Sequence, residues 1–423
     1  MGGVVDMILG RRFQRTHLYA AIFLLLGLFL IFAASNRHEP GEVTRFSFGV
    51  GKQALRLDLP VGRTLLAIGV FYVLTALLVL SGVLKRIAIG FLILSAVLIF
   101  PTILVAAAAG KQTNVLTMLA ESLRLATPIA LGALAGIWSE RAGVVNIAIE
   151  GMMLSGAAFG FTAFFFLGNA GMPNNQALFI SVIVAVLVGG LMALLHGWLS
   201  ITFRTDQIVS GTVINILAIG VTSFIRREYL LSTRAGRVTL PAIEIPVLSQ
   251  IPIVGPVLFD NKPIFYSMFI LLALTHFVLF YTVWGLRTRA VGEHPEAADT
   301  VGIDVIRVRY VNVVISGLIA GLAGAWFSLE TVGGFDDLMT NGKGFIALAA
   351  MIFGKWTPIG SFGAAMLFGF AEALGTRFQI LQVPIPSQFL QILPYVVTMI
   401  VLAGLIGRAV PPAADGKPYE KRA

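Results

Sequence analysis

The sequence predicts an all-α polytopic membrane protein of about 10–12 transmembrane helices built around two inverted-topology repeats. Three observations carry this. The 423 residues are 57% hydrophobic and only 12% charged, with a mean hydropathy of +0.90, whereas a soluble domain carries roughly 25% charged residues. Apolar runs recur almost end to end. A short pattern, finally, occurs twice.

The runs read as spans in order: Leu18–Ala34, Thr64–Leu84, Ile87–Ala109, Leu125–Trp138, Val144–Gly168, Ala177–Thr202, Gln207–Ile225, Pro263–Gly285, Tyr310–Thr331, Phe345–Gly354, Pro358–Thr376 and Gln391–Gly407. Leu18–Ala34 follows a basic start and resembles a secretory signal, but no small-residue cleavage site follows, so it reads as a retained span. Leu125–Trp138 and Phe345–Gly354 fall short of the roughly 20 residues that cross a bilayer. Each reads as a half-helix or re-entrant segment. With the N-terminus inside, the Lys and Arg residues mildly favour the inner segments per residue, which places both termini in the cytoplasm. Residues 1–110 form an N-terminal extension with about three spans, and residues 111–407 a core. The loop Pro241–Pro263 reads as extended and extracytoplasmic, and the tail 408–423 as a disordered cytoplasmic end.

The repeat pairs Leu134–Trp138 (LAGIW) with Leu322–Trp326 (LAGAW), and Asn146–Leu154 (NIAIEGMML) with Phe345–Phe353 (FIALAAMIF). The first LAGxW segment runs inward and the second outward. Repeat one is therefore 125–225, repeat two 310–407, and 263–285 links them. Inverted repeats of this kind build solute paths near the midplane.

Glu150 lies inside an apolar run, where an ionisable group costs on the order of 2.5–3.5 kcal/mol on insertion scales. Asn146 lies four residues before it, so on a helix the two form a polar stripe. That stripe has three readings: the lining of a substrate path, interhelical glue, or part of a proton relay. A relay needs several intramembrane acids, and Glu372 is the only other plain candidate. The glycine pairs Gly132/Gly136 and Gly317/Gly321 read as close helix packing. His196 and His276 read as bonded to neighbouring helices. Trp138, Trp198, Trp284 and Trp326 read as interfacial anchors.

The longest inner loop, 286–309, is rich in both charge signs. Pro295 suits the first turn of a short helix from Glu296, and Gly302 suits its end. This is a docking peg or a solvated linker. With no cysteine and five scattered histidines, no metal site is expected. No G-x-x-x-x-G-K-[ST] phosphate loop is present, so the chain does not itself hydrolyse nucleotide. The net charge of +9 sits in loops and termini, where it orients a membrane protein rather than binding nucleic acid.

Glu140–Ala157 (ERAGVVNIAIEGMMLSGA) closely resembles a signature of the permease subunits of bacterial ABC uptake systems in the ribose/branched-chain amino acid superfamily. Gly292–Ile303 (GEHPEAADTVGI) resembles their cytoplasmic EAA-type loop, and Phe345–Pro358 a later segment. The resemblance spans about Asn114 to Gly407 and is greatest to the nucleoside and purine-type permeases. It implies a bacterial plasma-membrane permease that forms the path for nucleoside uptake. A second permease subunit, often different, would complete that path. Separate ATPase subunits would bind ATP and Mg²⁺, so this chain needs no cofactor of its own, and an extracytoplasmic lipoprotein would deliver the solute. Glu293, Glu296, Ala297, Ala298 and Gly302 would form the ATPase coupling loop, with Asn146 and Glu150 beside the substrate path. Simple sugars or branched-chain amino acids are alternative substrates. An ion-coupled secondary transporter is the alternative of a different class.

Overall fold

The computed structural model describes residues 15–36, 39, 41–49, 55–82, 85–230, 238–383, 392 and 409–421. These residues are mostly helical, and among them ten helices are long and apolar enough to cross a membrane. The chain divides into two compact units: residues 1–118 with 375–390, and residues 119–374 with 391–423.

The first unit holds α1 (Arg15–Asn36), β1 (Val43–Phe48), β2 (Leu55–Pro60), α2 (Val61–Leu80), α3 (Lys85–Ala107) and β3 (Gln112–Asn114). The helices α1 and α2 meet at Gly27 and Gly69. A Cβ on Gly27 would lie 2.7 Å from the Gly69 carbonyl oxygen, so only glycine lets the backbones come this close. β1 pairs antiparallel with β2, setting Arg45 opposite Asp58, and parallel with β3.

The second unit continues with α4 (Val115–Glu140), α5 (Ile149–Asn169), α6 (Asn174–Gly197) and α7 (Gln207–Ile225), the last two ending in wider π-type turns. After a small two-stranded pair, β4 (Ile243–Glu244) with β5 (Asp260–Asn261), and the short α8 (Val254–Leu258) come α9 (Pro263–Tyr281), α10 (Val283–Glu293) and α11 (Pro295–Thr300). α12 (Val305–Ala325) ends in a π-type turn, Trp326–Val332; α13 (Lys343–Phe353) and α14 (Pro358–Ile380) follow. The spans containing α4 and α12 are each 72% buried and that of α5 61%, against 28–44% for the other spans. These three therefore form the centre. The glycines show why they fit: a Cβ on Gly156 would lie 2.7 Å from the Gly321 carbonyl, and one on Gly321 2.3 Å from that of Ala185. Gly132 and Gly136 likewise seat Ala347 and Met351 of α13. α6 instead turns Phe179, Leu187 and Leu191 outward, each at least 60% exposed. In water that would be costly; against lipid chains it is not.

Several expectations change. Leu125–Trp138 is not a half-helix. It belongs to the 26-residue α4, whose first turns carry Glu121 and Arg124, charges that ended the apolar run early. Phe345–Gly354 is short, as expected. Val144–Gly168 becomes helical only from Ile149. The loop 241–263 is folded rather than extended, through β4, β5 and α8. Trp138 and Trp326 are buried in protein rather than interfacial; the Trp138 indole donates to Thr275 Oγ1 at 3.1 Å. Only Trp198, 48% exposed, is open enough for an anchor, since Trp284 is half-buried. The span Gln391–Gly407 lies outside the described residues, Ile392 excepted. The tail is not disordered over 409–421: Ala414 and Tyr419 are buried, and its backbone bonds back to the protein.

Candidate functional site

α4 ends at Glu140 and the chain stays unwound until Ile149. Gly143 makes the exit, with φ +83° and an Arg309 nitrogen 2.9 Å from where its Cβ would be. Unwound backbone inside a membrane protein must find partners within the protein. Here side chains of α6 and α7 supply them. His196 bonds the Val145 carbonyl at 2.9 Å, Gln207 accepts from the Val145 amide at 2.7 Å, and Asn215 bonds both the Ile147 carbonyl and the Gly151 amide. His196 thus behaves as expected, while His276 instead lies against the rings of Phe280 and Tyr281.

Asn146 sits in this unwound stretch, fully buried. Its Nδ2 donates to Ser316 Oγ of α12 at 3.0 Å, and its Oδ1 is buried without a partner among the described residues. It is therefore not on the helix of Glu150, and no i, i+4 stripe forms. Glu150 is the second residue of α5, and its carboxylate reaches to another helix start. Oε1 accepts from Thr340 Oγ1 at 2.6 Å and from the Gly342 amide at 2.9 Å; Oε2 accepts from the Gly344 amide at 2.6 Å. α13 begins at Lys343, so Glu150 caps it from outside and also occupies the first turn of α5. Both positions favour an anion through the partial positive charge at a helix N-terminus. Gly344 allows this approach, since a Cβ there would lie 2.6 Å from the Glu150 Cα. The next intramembrane acid, Glu372, pairs with Lys343.

Glu330 escapes the sequence reading although it lies in the run Tyr310–Thr331, because an acid one residue from the end of a span reads as solvated. It is 4% exposed, and its carboxylate caps α9 through the amides of Ile264 (2.7 Å) and Phe265 (3.2 Å). It lines a cavity of about 450 Å³ with Arg124, Asn261, Lys262, Phe265 and Trp326. Lys262 donates to Thr239 Oγ1 at 2.7 Å and to the Glu330 carbonyl. Burial lowers its pKa, partly offset by Glu330.

The inner loop folds as the sequence predicts. Pro295 opens α11, and Gly302, at φ +84°, closes the turn after it. The Asp304 carboxylate then caps α12 by accepting from the Arg307 amide at 2.9 Å. Ala298 is buried with Val291, Val305 and Val308, while Glu293, Glu296, Ala297 and Gly302 are exposed. α11 is thus a peg with one apolar face inward and a charged face outward. Among the described residues, no group of three or more His, Cys, Asp or Glu could hold a metal ion.

Residues 118–402 match the family described as branched-chain amino acid transport system / permease component. The chain is 42% identical over 308 residues to the guanosine ABC transporter permease protein NupQ of Bacillus subtilis, covering 71% of this chain and 95% of that protein. It is 39% identical over 313 residues to the nucleoside ABC transporter permease protein NupC of Lactococcus lactis, covering 72% and 96%. A putative glucose ABC transporter permease protein of Haloferax volcanii is 34% identical over 268 residues, covering 62% and 78%. No solved structure matches.

Proposed function

This chain belongs to the family of branched-chain amino acid transport system permease components, and on that premise we propose that it is the membrane-crossing subunit of an ATP-driven importer of purine-type nucleosides. The observation that carries the substrate class is its similarity to the guanosine and nucleoside permeases along nearly their whole length. The likeness to a putative glucose permease favours sugars as the second reading.

In this reading the chain sits in a bacterial plasma membrane with both termini in the cytoplasm. A second, different permease chain completes the path, and an extracytoplasmic lipoprotein hands over the solute. ATPase subunits, which bind ATP and Mg²⁺, dock on α11 and the end of α10, where Glu293 of α10 and Glu296 and Ala297 of α11 face outward and Ala298 anchors the peg. Nucleotide-driven movement of α11 alternates access to a path beside Asn146 and the Glu150 junction. Two helix starts meeting at one carboxylate suit that role, because each can shift without unfolding a continuous span. An ion-coupled mechanism is less well supported: Glu150, Glu330 and Glu372 are each held by helix amides or a lysine. Uptake of labelled guanosine by cells carrying the whole importer tests the substrate class. Excess adenosine is expected to suppress uptake and excess glucose or leucine to leave it; the reverse pattern would remove the nucleoside reading.

A further inference from the structure

The C-terminal segment 409–421 lies as a strap across the base of the second unit, touching three elements. Beside the peg, the Ala414 amide donates to the Gly292 carbonyl at 2.9 Å, and the Ala413 amide to Glu293 Oε2 at 3.2 Å. Tyr419 packs into the apolar patch of Val291, Ala298, Val305 and Val308, the same patch that seats the inner face of α11. On α12, the fully buried Arg309 donates to the Lys417 carbonyl at 3.0 Å and lies against the Asp415 carboxyl. On the third side is the unwound stretch. Asp415 faces Glu140, the last residue of α4, whose carboxylate also accepts from the Trp356 indole at 2.6 Å. The Ala414 carbonyl sits 3.2 Å from the Cβ position of Gly143, and the Cβ position of Gly416 is 3.4 Å from a Val145 methyl. Glu420 adds an ion pair with Arg204, before α7, at 2.6 Å.

We propose that this strap is a positioning element of the transport cycle: it carries movement of the α10–α11 corner to the unwound segment 141–148, and so to Asn146 and the Glu150 junction. The inference rests on α11 being the ATPase dock proposed above. A backbone hydrogen bond joins the strap to Gly292, and the Asp415 side chain and close packing on Gly143 and Val145 join it to the other end. Gly292 also packs directly on that segment, its Cβ position 2.2 Å from the Arg141 carbonyl oxygen, and the strap braces this contact. The covalent route from α11 into α12 instead passes through the exposed turn at Val301 and Gly302. Close packing transmits displacement where an exposed turn absorbs it.

The test uses the assembled importer with the permease cut after Arg408 and, separately, with Asp415→Lys, which sets a cation against Arg309. Three quantities are read: ATPase chain co-purified, ATP hydrolysed, and nucleoside moved per ATP. The strap reading expects co-purification and hydrolysis to persist while nucleoside moved per ATP falls at least tenfold in both. A ratio within twofold of the full chain overturns it. Loss of the ATPase on truncation also overturns it, since the strap would then be docking surface alone. If the shortened chain does not accumulate, Asp415→Lys decides. Failure of the α11 reading shows separately, as Glu296→Lys that still holds the ATPase.

Discussion

Replacing Glu150 by Gln tests the junction between α5 and α13. The carboxylate accepts three hydrogen bonds, two of them from amides at the start of α13. With the carboxamide oxygen at Oε1, the bonds from Thr340 and Gly342 survive but lose their charge assistance, about 1 kcal/mol each. At Oε2 an NH₂ group would meet the Gly344 N–H donor to donor. That bond is lost and the amide is left unpaired, costing about 1–3 kcal/mol. The sum is about 3–5 kcal/mol, and because Glu150 is only partly buried the lower end is the better figure. The purified assembly should melt several degrees lower, measured by fluorescence-detected size exclusion after heating. Uptake per inserted chain should fall about tenfold with the ATPase still bound. Glu150→Asp, which cannot reach all three donors, should fall between. A Gln variant that melts and transports like the parent would refute the reasoning.

Glu296→Lys reverses the charge on the outer face of α11 and should abolish uptake without reducing the amount of chain in the membrane, as read by uptake beside quantitative blotting. Gly302→Pro should do the same, because proline cannot adopt φ +84° and removes the amide that donates to Asp299 at 2.9 Å. Gly321→Leu would drive a Cβ to 2.3 Å from the Ala185 carbonyl. That overpacking should cost about 3 kcal/mol and leave little monodisperse protein on size exclusion. Strap docking should depend on pH. Burial pushes the Asp415 carboxyl up to about 7, while the Glu140 hydrogen bond and Arg309 pull it down; Glu296 and Tyr419 face Arg309 in turn. Docking therefore takes up a proton, so its added stability is complete below the free-carboxyl range and is lost as pH rises through about 7. Hydrogen exchange at the Ala414 amide, which docking pairs with the Gly292 carbonyl, corrected for the intrinsic rate at each pH, should show docking about tenfold tighter at pH 6 than at pH 8, and Asp415→Asn should flatten that difference.

What was legible in the sequence was mostly local. The apolar runs located the long spans, and Pro295 and Gly302 delimited α11 because their backbone preferences act within one turn. The Gly132/Gly136 and Gly317/Gly321 pairs marked real close approaches. The site was harder to read. The i, i+4 argument placed Asn146 and Glu150 on one helix, yet the chain is unwound at Asn146, since His196, Gln207 and Asn215 satisfy its backbone from 51 to 68 residues away. The partners of Glu150 lie 190 or more residues on, beyond any periodicity. The tail misled for a related reason: Pro411, Pro412, Asp415 and Gly416 have the composition of a solvated end, but Tyr419 and Arg309 bury it through contacts visible only in three dimensions.

Reconstitution tests the central claim most directly. Liposomes would contain this permease, its partner permease and the ATPase chain, with the binding lipoprotein and labelled guanosine outside and nucleotide inside. The account expects guanosine to accumulate only with hydrolysable ATP and only with the ATPase present. Accumulation by this chain alone, driven by a proton or sodium gradient without ATP, would contradict it.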